Sequence, residues 1–151
     1  MIKRTLLQSI KSRLYKKKAI ILLGPRQVGK TTLLKQIADQ EEKVLWINAD
    51  NIEDREIFDQ ASDTRLKALI GNYNIVIVDE AQRISDIGIK LKLITDELKN
   101  IQLIASGSSS FELANNINEP LTGRKFEFQM FPVSFSELVN ETNLLEELKM
   151  K

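Results

Sequence analysis

Two short runs in this chain have residue types and spacing suited to phosphate chemistry. The first is Gly24-Pro25-Arg26-Gln27-Val28-Gly29-Lys30-Thr31, with Thr32 next. It fits the pattern G-x-x-x-x-G-K-[ST]. Glycine at both ends allows a tight loop whose backbone N–H groups converge on an anion. A helix starting at the loop would add the positive end of its dipole. Lys30 would bring a point charge to the β- and γ-phosphates of a nucleotide, and Thr31 a hydroxyl ligand for magnesium. Gly24 to Thr32 is therefore the candidate nucleotide-binding stretch.

The second run is Ile75-Val-Ile-Val-Asp79-Glu80. A β-branched apolar run ending in an acidic residue has the form of a Walker B strand, and it falls one βα unit after the phosphate loop. Asp79, at the carboxyl end of such a strand, would hold a magnesium-bound water, because parallel sheets bind ligands at that edge. Glu80 would orient and deprotonate the attacking water. Two further positions are weaker. Ser106, in Ser106-Gly-Ser-Ser-Ser110, could face the γ-phosphate from the side as a sensor, or the segment could cap a short helix. Arg124, in Thr122-Gly123-Arg124, could neutralise γ-phosphate charge in cis, reach a neighbour's site in trans, or stand as a surface arginine in a glycine turn.

The elements that would position these residues alternate. Residues 19–23 are apolar on both faces, which suits a buried parallel strand, and Gly24-Pro25 ends the run. Residues 30–40 have helical spacing, 44–48 read as a strand that buries Trp46, and 51–72 read as polar helix. Strands are expected at 74–79 and 101–105. The stretch 86–99 fits either periodicity. It is assigned to a helix because parallel neighbours need a crossover. Residues 125–130 alternate as a half-exposed strand. Residues 134–148 suggest a C-terminal helix with Ser134 and Glu137 at capping-box spacing. The N-terminal segment 1–18 reads as an amphipathic helix, its apolar residues from Ile2 to Leu14 recurring at helical spacing. Lys3, Arg4, Lys11, Arg13 and Lys16 to Lys18 make its other side basic, either a solvated face or one that contacts phosphates. The whole implies one α/β domain over 1–151 with a mainly parallel sheet.

Composition narrows the chemistry. The 151 residues include no cysteine and no histidine, and the net charge is +1. Disulfides, Cys/His zinc sites and histidine-based triads are excluded. The charge gives no independent support to a nucleic-acid or membrane partner. The N-terminus lacks a signal-peptide apolar core, and no run is long enough to span a bilayer, so a cytoplasmic protein without membrane contact is expected.

Several strings occur together in order: Lys18 to Leu34, Val78-Asp-Glu-Ala-Gln82, Ile104-Ala-Ser-Gly-Ser-Ser109, Leu121-Thr-Gly-Arg-Lys125, and Phe131-Pro-Val-Ser-Phe-Ser-Glu-Leu138. Together they resemble the AAA-family domain that bacterial and archaeal ATPases carry ahead of a domain of unknown function, the AAA_14/DUF4143 type. The resemblance runs over most of the chain. It implies a three-layer P-loop NTPase of the ASCE/AAA-like class, with a parallel five-stranded sheet in the order 5-1-4-3-2, and ATP hydrolysis. It also implies phosphate binding by Gly24 to Thr32, the acidic pair Asp79 and Glu80, Ser106 as sensor and Arg124 as the arginine before strand five. Family members usually continue past the Ser-Glu-Leu helix, so a further C-terminal domain is expected to be missing here.

The favoured expectation is an ATPase that binds ATP/ADP with Mg2+ and uses hydrolysis as a switch or motor step. Lys30, Glu80, Ser106 and Arg124 are its candidate catalytic residues, and Thr31 and Asp79 its metal-associated ones. The alternatives are a nucleotide-binding interaction module with little hydrolysis and a DNA-linked motor core. A small-molecule kinase has no use for a water-activating glutamate, and no Asn-Lys-x-Asp string supports a GTPase. The protein or nucleic-acid partner is not specified by the residues. A homo-oligomer follows only if Arg124 acts in trans.

Overall fold

The structure, a computed structural model, describes residues 2–25, 29–60, 62–108 and 116–131. Arg26 to Val28, the serine-rich stretch after Ser108 and the expected helix at 134–148 lie outside the described residues. The elements run α1 (Ile2–Lys11), β1 (Ala19–Leu23), α2 (Lys30–Ala38), β2 (Val44–Asn48), α3 (Ile52–Gln60), α4 (Asp63–Ile70) and β3 (Ile75–Asp79). Next come a 3-10 turn (Ala81–Arg83), α5 (Ile87–Glu97), β4 (Gln102–Gly107) and β5 (Lys125–Gln129).

The five strands form one sheet, in the order β2-β3-β4-β1-β5. Every pairing is parallel. Read from the other edge, this is the expected 5-1-4-3-2. Alternate residues of each strand point to opposite faces, and both faces are covered. Ile21, Leu23, Val76, Val78, Leu103 and Ala105 pack with residues of α3, α4 and α5. Ile20, Leu22, Ile75, Ile77 and Ile104 pack with Ile10 of α1 and with Leu33, Leu34 and Ile37 of α2. This is why β1 and β3 are apolar without alternation: none of their residues faces water. Burying each large aliphatic side chain contributes about 1.5–3 kcal/mol.

The stretch 86–99 is a helix, α5, that crosses from β3 back to β4. Residues 51–72 divide into two helices, and the break is capped: Ser62 Oγ accepts the N–H of Arg65 at 3.2 Å. The N-terminal helix stops at Lys11, short of the expected residue 18. The chain then turns, with Tyr15 and Lys17 at positive φ. Buried Gln102 anchors that turn to β4, accepting the Tyr15 N–H at 2.6 Å and donating to the Lys18 carbonyl at 3.1 Å. Trp46 is half-buried, on edge strand β2 against the α1/α2 side of the core. β5, at the opposite edge, is only partly covered, as its alternating residues suggest.

Candidate functional site

The carboxyl ends of β1, β3 and β4 lie side by side, and the site residues come from these strand ends and the segments just beyond them. β1 leads into Gly24, whose N–H donates to the Gly107 carbonyl at the end of β4 at 3.2 Å. Of the two loop glycines, Gly29 uses the left-handed region, with φ 98. It stands at the start of α2, where any side chain would be strained. Gly24 has no such φ.

Lys30 is the first residue of α2 and is 4% exposed. An ammonium so buried needs oxygen partners. Its Nζ donates to the carbonyls of Gly24 and Pro25, both at 2.8 Å. Thr31, next on α2, donates from Oγ1 to Asp79 Oδ2 at 2.8 Å. The other carboxylate oxygen, Oδ1, accepts from Ser106 Oγ at 2.6 Å. Asp79 thus sits between α2 and β4 with a hydroxyl on each oxygen. Ser106 is the fifth residue of β4 and fully buried, so it belongs to the strand and not to a helix cap. Thr32 is exposed in the first turn of α2.

Glu80 comes directly after Asp79 with φ 59 and ψ 47, left-handed values rarely adopted by a residue with a Cβ. Its N–H reaches Ser106 Oγ at 3.4 Å. Its Oε1 accepts from Gln82 Nε2 at 2.8 Å, and the same nitrogen donates to Ser108 Oγ at 2.9 Å. Gln82 and Ser108 stand in the strings that carry the resemblance, but the sequence assigned neither a role of its own. A two-residue spacing across a left-handed glutamate is not a recognisable pattern, and only the 3-10 turn brings the side chains together. A cleft of about 350 Å³ beside this turn is lined by Gln82, Asp86, Ile89, Asn116 and Pro120 among others, and by none of the described residues of the phosphate loop.

Arg124 is not brought to this group. Its carbonyl accepts from the N–H of Ala19, the first residue of β1. The phosphate loop begins at the far end of that strand, about 16 Å away at the usual rise per residue. Its guanidinium Nε instead meets Asp96 Oδ1 on α5 at 2.7 Å. This placement is at odds with the cis alternative and leaves the trans and surface ones. An arginine just before β5 lies at the amino-terminal edge of a parallel sheet, and Lys30, Thr31, Asp79 and Ser106 gather at the other edge.

The geometry collects Gly24, Gly29, Lys30, Thr31, Asp79, Glu80 and Ser106 at one sheet edge. Comparison with known proteins bears on the family and the fold. The model of the AAA_14 family, an AAA domain, matches residues 16–139. This chain belongs to that family. The AAA domain is 32% identical over 112 residues to two uncharacterized proteins, Mb2031c of Mycobacterium bovis and Rv2008c of Mycobacterium tuberculosis. Each alignment takes 74% of this chain and 24% of the relative. The chain thus spans about a quarter of the length of the curated relatives it matches. Its fold is that of the P-loop NTPases. It resembles the Walker-type ATPase PABY2304 of Pyrococcus abyssi, with TM-score 0.64 and 18% identity over 99% of this chain and 58% of that one. A DNA replication initiation factor gives TM-score 0.58 and 14% identity, over 97% and 50% of the two chains. The Pif1 helicase of Candida albicans gives 0.56 and 15%, over 98% and 42%. Among the described residues, no helix is long and apolar enough to cross a membrane.

Proposed function

We propose that this AAA domain binds ATP with magnesium at the end of β1 and hydrolyses it, using the step as a switch or motor stroke. The observation that carries the proposal is the hydrogen-bonded row Thr31–Asp79–Ser106, which joins α2, β3 and β4 beside the phosphate loop.

The work of such a site is positioning and electrostatics. The loop amides and the start of α2 favour a phosphate chain. Lys30 would exchange its carbonyl partners for β- and γ-phosphate oxygens, which are better partners because they carry charge. The donor set suits magnesium, a hard cation that takes oxygen ligands and keeps several waters. A hydroxyl and a carboxylate 2.8 Å apart fit it, with Thr31 as direct ligand and Asp79 holding its water shell. Bound there, the ion would offset phosphate charge. Glu80 would accept the proton of a water in line with the γ-phosphate. Ser106, bonded to the acidic pair from β4, would register whether that phosphate is present.

The test is phosphate release at saturating ATP and magnesium from the wild-type chain and from Glu80→Gln. Loss of a general base costs about 100-fold or more. Equal turnover in the two proteins would refute the assignment of Glu80. Tight binding with no release from either would favour the nucleotide-binding interaction module. Stimulation of release by DNA would point to the motor core.

A further inference from the structure

Glu80 leaves β3 in a left-handed conformation and passes directly into the 3-10 turn Ala81–Arg83. That turn brings the side chain of Gln82 back to Glu80. The Gln82 amide nitrogen donates to Glu80 Oε1 at 2.8 Å and to Ser108 Oγ, just beyond β4, at 2.9 Å. An amide nitrogen carries two hydrogens, so both bonds form together. The oxygen of the same amide, Oε1, is buried and has no hydrogen-bond partner among the described residues. A buried acceptor without a partner is costly, so something must fix the amide this way round. The carboxylate does: with the amide flipped, Oε1 would face the oxygen of Glu80. The orphaned oxygen is thus a consequence of directing both N–H groups to Glu80 and Ser108.

From this geometry we infer that Gln82 is a positioning residue for Glu80. Its amide ties the carboxylate to the segment after β4, so that one rotamer of a three-torsion side chain is held where the base is needed. The inference rests on Glu80 acting as the water-orienting base. It adds a residue that the phosphate-loop and acidic-strand motifs do not contain.

Gln82→Met keeps length and apolar bulk and removes both donors. Its turnover is compared with that of wild type, Glu80→Gln and the double variant. The expected result is a kcat lowered about ten- to a hundredfold, the scale set by misplacing a catalytic group, with the KM for ATP within about twofold. On the Glu80→Gln background the same change has no further effect, because Gln82 acts through the carboxylate. An unchanged kcat, or an equal drop on both backgrounds, overturns the inference. If Glu80→Gln itself leaves turnover intact, the base assignment fails, and that outcome is separate. Binding of MgADP with aluminium fluoride, an in-line transition-state mimic, gives a readout that does not need turnover. Gln82→Met should weaken it while leaving MgADP affinity unchanged. Equal weakening of both marks a merely structural role. Ser108→Ala removes only the second anchor and should reproduce the same selectivity in smaller degree. If it weakens both ligands alike, the inference falls.

Discussion

Thr31 Oγ1 and Asp79 Oδ2 meet at 2.8 Å across 48 positions of sequence. The contact joins the helix after the phosphate loop to the strand that ends in the acidic pair. It forms because β1 and β3 flank β4 in one parallel sheet, which brings their carboxyl ends to the same edge. It also places two oxygen groups where nucleotide-bound magnesium would be held. Thr31→Ala should therefore weaken ATPγS binding about tenfold in the presence of magnesium, the scale of one charge-assisted contact. It should have little effect with EDTA. Calorimetry under both conditions checks this; equal losses would mean that Thr31 has no metal-linked role.

Ser106→Ala removes the donor to Asp79 Oδ1 and the acceptor for the Glu80 N–H. Both partners are buried. Leaving such groups unsatisfied costs about 1–3 kcal/mol. Urea unfolding should show that loss, and turnover should fall more than nucleotide affinity. Unchanged stability would show that water replaces the hydroxyl at no cost.

A methyl group at Gly88 would collide with the carbonyl oxygen of Asn116 and sit 3.0 Å from Pro120. Both obstacles belong to the chain packed on the start of α5. Gly88→Ala should destabilise the domain by about 1–3 kcal/mol, the usual range for overpacking, even though alanine favours helix. A raised melting temperature would contradict this packing.

Arg124→Ala should leave ATPγS affinity of the monomer unchanged within about twofold and cost no more than about 1 kcal/mol of stability, since the Asp96 pair is partly exposed. A role in trans would appear only as lost turnover at concentrations where the chain self-associates. Sedimentation with parallel turnover assays separates the two cases.

Much of this architecture was legible because the local signals were unambiguous. β1 and β3 have no polar face, so they had to lie inside a covered sheet. The lysine-threonine pair after Gly29 falls at the start of α2, where the G-x-x-x-x-G-K-[ST] pattern puts a helix. The crossover rule decided 86–99, where periodicity alone did not. The break near residue 61 was less visible. Ser62 before Asp63 is a capping signal, but a polar segment with few apolar marks does not show where its face rotates. Arg124 could have been placed at the far edge from the strand direction alone. Gln82 was not legible, because its contact with Glu80 depends on a backbone conformation that glutamate rarely adopts.

The central claim is that the loop from Gly24 to Thr32 holds a nucleotide. Calorimetric titration of ATPγS with magnesium into the wild-type chain, alongside Lys30→Ala, tests it most directly. Micromolar or tighter binding that falls at least about 100-fold in the variant, roughly the loss of a buried charged partner, is the expected result. No binding by a folded wild-type chain, or equal binding by both, would contradict it.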